Sequence, residues 1–342
     1  MDSKDAVLYS ELFDGHIGTV LDAARDEARR AQVDKALALA KAAAAQDSYA
    51  AAVLLAAAMA VSMMTACGGG AGGGSGVVPD GTHYSNAAAV EGIDPNSIEH
   101  EKPLTKAADS RYVQFMKKYQ TEDKLYQRTE ITGYGTSAGK TATMIEAKNG
   151  NLVYTEITGQ GQTNKSLVEI KDNTVYSYIL FEEDGKKAAI KQKTTHSGKT
   201  SPEGGTSETP STSNATSANV KVNGTVYYAE MSRDEHGSTT ICFEPNSPVP
   251  TYIFDDDGEG DKTTTVYKEV CFGNDKGLCD GVLDGYDVYT LEGLNMTAGT
   301  ATLTDEKGGK YNAQYTASGW TVTKDGQDVT PEFQWIINKI FS

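Results

Sequence analysis

From about residue 110 the chain alternates apolar and polar positions in a repeating pattern. Three stretches share it: MIEAKNGNLVYTE (144–156), VEIKDNTVYSY (168–178) and VKVNGTVYYAE (220–230). Each alternates into Asn149-Gly150, Asp172-Asn173 or Asn223-Gly224, then resumes with Val or Leu followed by Tyr. A period of two marks strands with one packed and one wet face. Asn-Gly and its relatives tolerate the positive φ angles that two-residue hairpin turns require. Further hairpins are expected at Glu183-Asp184-Gly185, Glu235-His236-Gly237 and around Lys307-Gly308-Gly309. Strict alternation predicts antiparallel pairing, because parallel sheets are buried on both faces. The fold class expected is mainly β (α+β): a curved antiparallel sheet of hairpins with flanking helices.

Two segments break the period of two. In RYVQFMKKYQTEDKLY (111–126), Tyr112, Phe115, Met116, Tyr119 and Leu125 fall at mostly helical spacing. In PEFQWIINKIF (331–341), Phe333, Ile336, Ile337 and Ile340 share one helical face, which predicts a short terminal helix docked on the sheet. Trp320 and Trp335 are expected in the core beside it. Residues 195–218, THSGKTSPEGGTSETPSTSNATSA, contain no large apolar side chain and read as a disordered insert or linker. One sheet interrupted by a long loop and two separate domains both fit this division of 110–342.

The N-terminal third has a different logic. Residues 49–66, YAAAVLLAAAMAVSMMTA, carry no charge, and Arg25, Arg29, Arg30, Lys35 and Lys41 lie on their N-terminal side. That asymmetry keeps the preceding segment cytoplasmic and directs the downstream chain outward. Small residues Thr65 and Ala66 directly before Cys67 resemble the lipobox of bacterial lipoproteins, with Met64 where Leu is usual. The resemblance implies cleavage after Ala66 and a diacylglyceryl, palmitate-type lipid on Cys67, so that the chain is held at the cell membrane on its extracytoplasmic side. The glycine-rich run after Cys67 suits a tether, expected here over 67–109. An uncleaved span with an incidental cysteine is the competing reading. Residues 1–48, Ala-rich with i,i+4 charge pairs, are either a start placed upstream of the translated one or a cytoplasmic helix that favours the uncleaved anchor.

Composition narrows the chemistry. A formal net charge of -16 argues against a nucleic-acid partner, whose affinity is built from clustered Lys and Arg. The five histidines lack ligand-like spacing and no metal or cofactor is expected. Asp255-Asp256-Asp257-Gly258-Glu259-Gly260-Asp261 is the densest acidic cluster, but Ile253 stands where an EF-hand needs its first ligand, so a solvated hairpin loop is the simpler reading. Cys271 and Cys279, eight positions apart, are a candidate disulfide in an exported domain, with Cys242 left over. The 18 tyrosines suit stacking on a sugar or peptide, although half-exposed strand positions favour tyrosine anyway. No GxSxG, HExxH, SxxK or P-loop occurs, and no catalytic residue is nominated.

The hairpins that resume as Leu152-Val153-Tyr154, Val175-Tyr176 and Val226-Tyr227-Tyr228, behind a lipobox, resemble half-barrel lipoproteins of Gram-positive bacteria related to the lipoprotein-carrier (LolA-like) fold. That resemblance covers roughly residues 110–290. It implies a helix across a concave sheet face and, on that face, a lipid or other apolar small ligand. The expectation is a non-catalytic envelope lipoprotein that binds such a ligand or a surface partner. A structural or adhesive surface protein without a ligand pocket is the alternative.

Overall fold

The structure, a computed structural model, describes residues 78–105, 109–135, 138–171, 174–195, 215–233, 237–258, 260–295, 299–316 and 319–341. Ala66 and Cys67, with the apolar segment and the extension before it, lie outside these residues.

The chain opens with β1 (Gly81–Tyr84), β2 (Glu99–Pro103) and helix α1 (Arg111–Thr121). A six-strand meander comes next: β3 (Lys124–Tyr134), β4 (Thr141–Asn149), β5 (Leu152–Gly159), β6 (Gln162–Lys171), β7 (Thr174–Glu183) and β8 (Lys186–Thr195). After it lie β9 (Ala215–Val222), β10 (Thr225–Arg233), β11 (Ser238–Phe243), β12 (Pro250–Asp256) and β13 (Lys262–Phe272). The last group is β14 (Asp287–Asn295), β15 (Thr300–Asp305), β16 (Lys310–Thr316), β17 (Gly319–Lys324), β18 (Gln327–Asp328) and helix α2 (Thr330–Phe341).

These strands make one curved, unclosed sheet. The β3–β8 meander occupies its centre. β13 pairs with the outer edge of β3 and carries β12, β11, β10, β9 and β2 beyond it. β14 pairs with the outer edge of β8 and carries β15 to β18. β8–β14 is parallel and the other pairings are antiparallel. The Ser/Thr-rich insert therefore separates two parts of one sheet. It is also narrower than expected, since Thr195 ends β8 and Ala215 to Ala218 pair in β9.

The hairpins form where local chemistry places them. Asn223 and Gly224 take φ of 48° and 79° between Val222 and Thr225, and Asp184-Gly185 does the same with 50° and 78°. Two expectations need correction. Helix α1 stops at Thr121, where the Glu122 N–H donates to Lys118 O, and Leu125 belongs to β3, paired with Lys148 and Phe272. Pairing to two neighbouring strands outweighs the helical spacing of its apolar residues. The expected tether, 67–109, is already folded from Val78. β1 pairs with β13, and Ala87, Val90, Ile93 and Ile98 pack on Val220, Tyr252, Phe254 and Val266.

Both helices dock on the same face of the sheet. Phe115 and Tyr119 of α1 pack against Leu125, Val270 and Phe272, all buried. Phe333, Ile336 and Ile337 of α2 pack against Ala188, Ile190, Leu303 and Val322, with Trp320 and Trp335 partly buried beside them, as expected. Register puts Leu125, Ile190 and Val270 on one side and Tyr126, Ala189 and Cys271 on the other. The opposite face is covered too: Leu278, Val282, Leu283 and Tyr286 lie over Ala147, Tyr154, Leu167 and Tyr178. The expectation of one packed and one wet face fails across the meander, because buried residues lie on both sides: helices dock at its two edges on one side and a loop packs on the other.

Candidate functional site

Between the two helices the helix-bearing face changes character. Cross-strand register aligns one row, Val270–Gln127–Glu146–Thr155–Ser166–Ile179, across β13, β3, β4, β5, β6 and β7. The next row runs Tyr267–Thr129–Met144–Ile157–Asn164. Directly opposed residues on antiparallel strands stand roughly 5 Å apart at Cβ, so each row is a continuous strip. Gln127, Thr129, Glu146, Thr155 and Ser166 are all buried.

Buried polar groups are normally hydrogen-bonded, and each exception calls for an explanation. Three of the exceptions among the described residues fall on this strip. Gln127 Oε1, Thr129 Oγ1 and Asn164 Nδ2 are buried without a hydrogen-bond partner. Glu146 sits among them, 7 % exposed. Burial pushes its carboxyl up to about 7, although Lys148 two residues along opposes that shift. The Lys148 ammonium itself donates to Gln120 O at 2.8 Å. Tyr267, at the β13 end, is held well above its ordinary range, first by burial and then by the charges of Tyr112, Glu146 and Asp255. On the other side Val153, Val168 and Val175 form a buried apolar patch with Ile170 packed against it. The site is thus a polar strip with an acidic centre, continuous with an apolar patch.

Helix α1 is fixed at one end of the strip by a carboxylate. Glu230 accepts from Ser110 Oγ at 2.6 Å, the Arg111 N–H at 2.5 Å and the Tyr112 N–H at 3.2 Å. These are the orphan donors of a helix N-terminus, and a negative charge there also suits the helix dipole. Arg111 lies 4.4 Å over the Tyr228 ring and completes the anchor. Burial raises the Glu230 pKa and these hydrogen bonds oppose it.

Of the side chains singled out by sequence, few meet at this strip. Cys271 and Cys279 are free and buried, so the candidate disulfide is not formed. Cys271 accepts from Thr82 Oγ1, whereas Cys279 donates to Ala147 O over the meander. Each thiol is committed to a different part of the opposite face. Burial pushes the Cys242 and Cys279 thiols up to about 12. The acidic loop spends its carboxylates on closing a turn: Asp257 Oδ1 accepts from the Gly260 and Asp261 N–H groups, and Asp256 pairs with Lys262. Among the described residues no cluster of His, Cys, Asp or Glu is arranged to hold a metal ion. Glu146 and Gln127 escape a reading of the sequence because a polar residue at alternate strand positions looks solvent-facing. Only the tertiary packing of the sheet turns that side inward.

No protein-family description matches the chain, and no curated protein matches it. Among solved structures it is similar to PNGF-II, at 10 % identity and a TM-score of 0.25, over 49 % of this chain and 31 % of that one. It thus spans about a third of the length of PNGF-II. MucB is similar at 11 % identity and a TM-score of 0.24, over 61 % of this chain and 90 % of that one. A DUF1329 family protein from Desulfovibrio piger is similar at 11 % identity and a TM-score of 0.21, over 50 % and 93 %. At such TM-scores these likenesses assign the chain neither a family nor an activity, and the mainly β fold rests on the strand pairings above.

Proposed function

We propose that the chain is a non-catalytic binding protein of a bacterial cell envelope, exported and lipid-anchored through Cys67. Its sheet takes an apolar or amphipathic ligand, or the apolar segment of a partner, on the helix-bearing face. The observation that carries the binding reading is the cluster of unpartnered buried atoms, Gln127 Oε1, Thr129 Oγ1 and Asn164 Nδ2, next to the Val153–Val168–Val175 patch. A core built only for stability pairs or omits such groups, since each costs about 1–3 kcal/mol when left unsatisfied. The anchoring reading is supported by the Thr65-Ala66-Cys67 pattern at the end of an uncharged segment.

Native mass spectrometry of the protein purified from its own membrane fraction tests both parts. A chain that begins at Cys67, heavier by a diacylglyceryl group and carrying a releasable apolar adduct or bound partner, is the expected result. A chain retaining residues before Cys67 overturns the lipid anchor. A bare chain that takes up no hydrophobic probe overturns the binding face and leaves the structural or adhesive role.

A further inference from the structure

The chemistry of the strip says which end of an amphiphile it suits. Resting on the binding reading above, we propose that the helix-bearing face recognises the cationic, hydrogen-bond-donating head of an amphiphile, a long-chain primary amine in its simplest form. Glu146 and Gln127 Oε1 are its acceptors, and its apolar body lies along Val153, Val168 and Val175.

Three features lead there. Gln127 and Glu146 are direct cross-strand partners in the β3–β4 pair, and Gln127 Oε1 has no hydrogen-bond donor. Thr129 Oγ1, in the adjoining row, is also free to accept. The cation already present, Lys148, donates to Gln120 O and acts on Glu146 through its charge. A buried carboxylate beside unserved acceptors is unfavourable, and an ammonium group offsets it with charge-assisted hydrogen bonds. An anionic head brings a second negative charge against Glu146, in a chain whose formal net charge is already -16. A neutral alcohol adds to the apolar contacts one uncharged donor, where the ammonium brings three and a positive charge. The apolar patch begins one row from the head site: Val153 pairs with Lys148 and Val168, and Val175 pairs with Ile170.

The groups that face Glu146 leave it as the centre of any pH response. Lys148 shares its strand, Tyr267 approaches from β13, and His83 of β1 lies at the far end of its row, beyond Val270 and Gln127. Asp255 of β12, Tyr112 of α1 and Glu230 of β10 lie beyond Tyr267 on the same face. β5, β6 and β7 contribute Thr155, Ile157, Ser166, Asn164, Ser177 and Ile179, none of which titrates.

The test uses the full chain in a mild detergent-free buffer with three probes of equal tail length: dodecylamine, dodecanol and dodecanoate, each below its micelle concentration. Calorimetry at pH 8 is expected to rank amine over alcohol over acid, the amine about ten-fold tighter than the alcohol. That preference fades as the pH falls to 5.5. In Glu146→Gln the amine advantage over the alcohol drops to about two-fold, which separates the carboxylate from His83 and from general attraction to an acidic protein. Val168→Glu weakens all three probes. If dodecanoate binds as well as the amine, or Glu146→Gln keeps the preference, the head chemistry is wrong while the binding face stands. If no probe binds, or Val168→Glu leaves all three unchanged, the binding face itself is wrong.

Discussion

At the scale of single residues the molecule is governed by what burial does to polar atoms. Glu146 is the sharpest case: its carboxyl is raised from 4.5 to about 7 by loss of solvent. A raised carboxyl holds its proton in the fold at pH values where the unfolded chain has released it. Its contribution is therefore fully present below about 4.5 and is lost as the pH rises through about 7. Ligand-free protein should lose stability between pH 5 and 8, by up to about 3 kcal/mol from this residue. Glu146→Gln should flatten that decline and raise the melting temperature at pH 8 more than at pH 5. Thermal melts across the range check it, and parallel curves for both proteins would rule the linkage out. The thiols obey the same physics. Cys242, Cys271 and Cys279 are buried and free, so a disulfide reagent should react slowly with the native β domain and count all three after denaturation. A count of one in the non-reduced chain would restore the Cys271–Cys279 bridge.

At the scale of elements, legibility depends on the range of the interaction that shapes each one. The turns at Asn223-Gly224 and Asp184-Gly185 are readable because two adjacent residues decide them. Leu125 is misleading because its apolar spacing matches helix α1, while its real partners, Lys148 and Phe272, lie 23 and 147 positions away. Glu146 is unreadable as a site for the same reason, since α2 and the β13 strand at the end of its row come from distant parts of the chain. α1 also depends on a distant group, the Glu230 carboxylate at its N-terminus. Glu230→Ala should cost about 3 kcal/mol, leaving buried donors unserved, and should speed amide exchange over Val113–Tyr119 more than across the meander. Equal acceleration everywhere would mean that the carboxylate supports the fold globally and not this helix. Glycines divide in the same way. A Cβ at Gly135 would stand 2.0 Å from the Gly260 carbonyl oxygen, whereas one at Gly161 meets nothing within 4 Å. Both have positive φ, so Gly161→Ala should cost about 1 kcal/mol and Gly135→Ala at least twice that, measured by denaturant unfolding.

At the scale of the whole molecule, the central meander is a frame to which later parts of the chain return on both sides. This has a consequence for any lipid anchor. With Val78 already buried in the fold, only residues 68–77 separate Cys67 from the domain, a reach of at most about 40 Å when fully extended. The anchored domain would stay near the membrane surface, where an amphiphile presents its head. The same architecture makes the two parts of the sheet inseparable. β13 pairs with β3 from Lys262↔Tyr134 to Phe272↔Leu125, and β1, from the N-terminal part, adds to β13 beside it. β14 closes on β8 at the far side. A protease site engineered at Gly204-Gly205 tests this directly. After cutting, the two fragments should elute as one particle of unchanged size and unfold together in denaturant, because the sheet hydrogen bonds and the α1 and α2 cores both cross between them. Fragments that separate in native buffer, each folded, would show that the insert joins two domains and that the strip between the helices is not one surface.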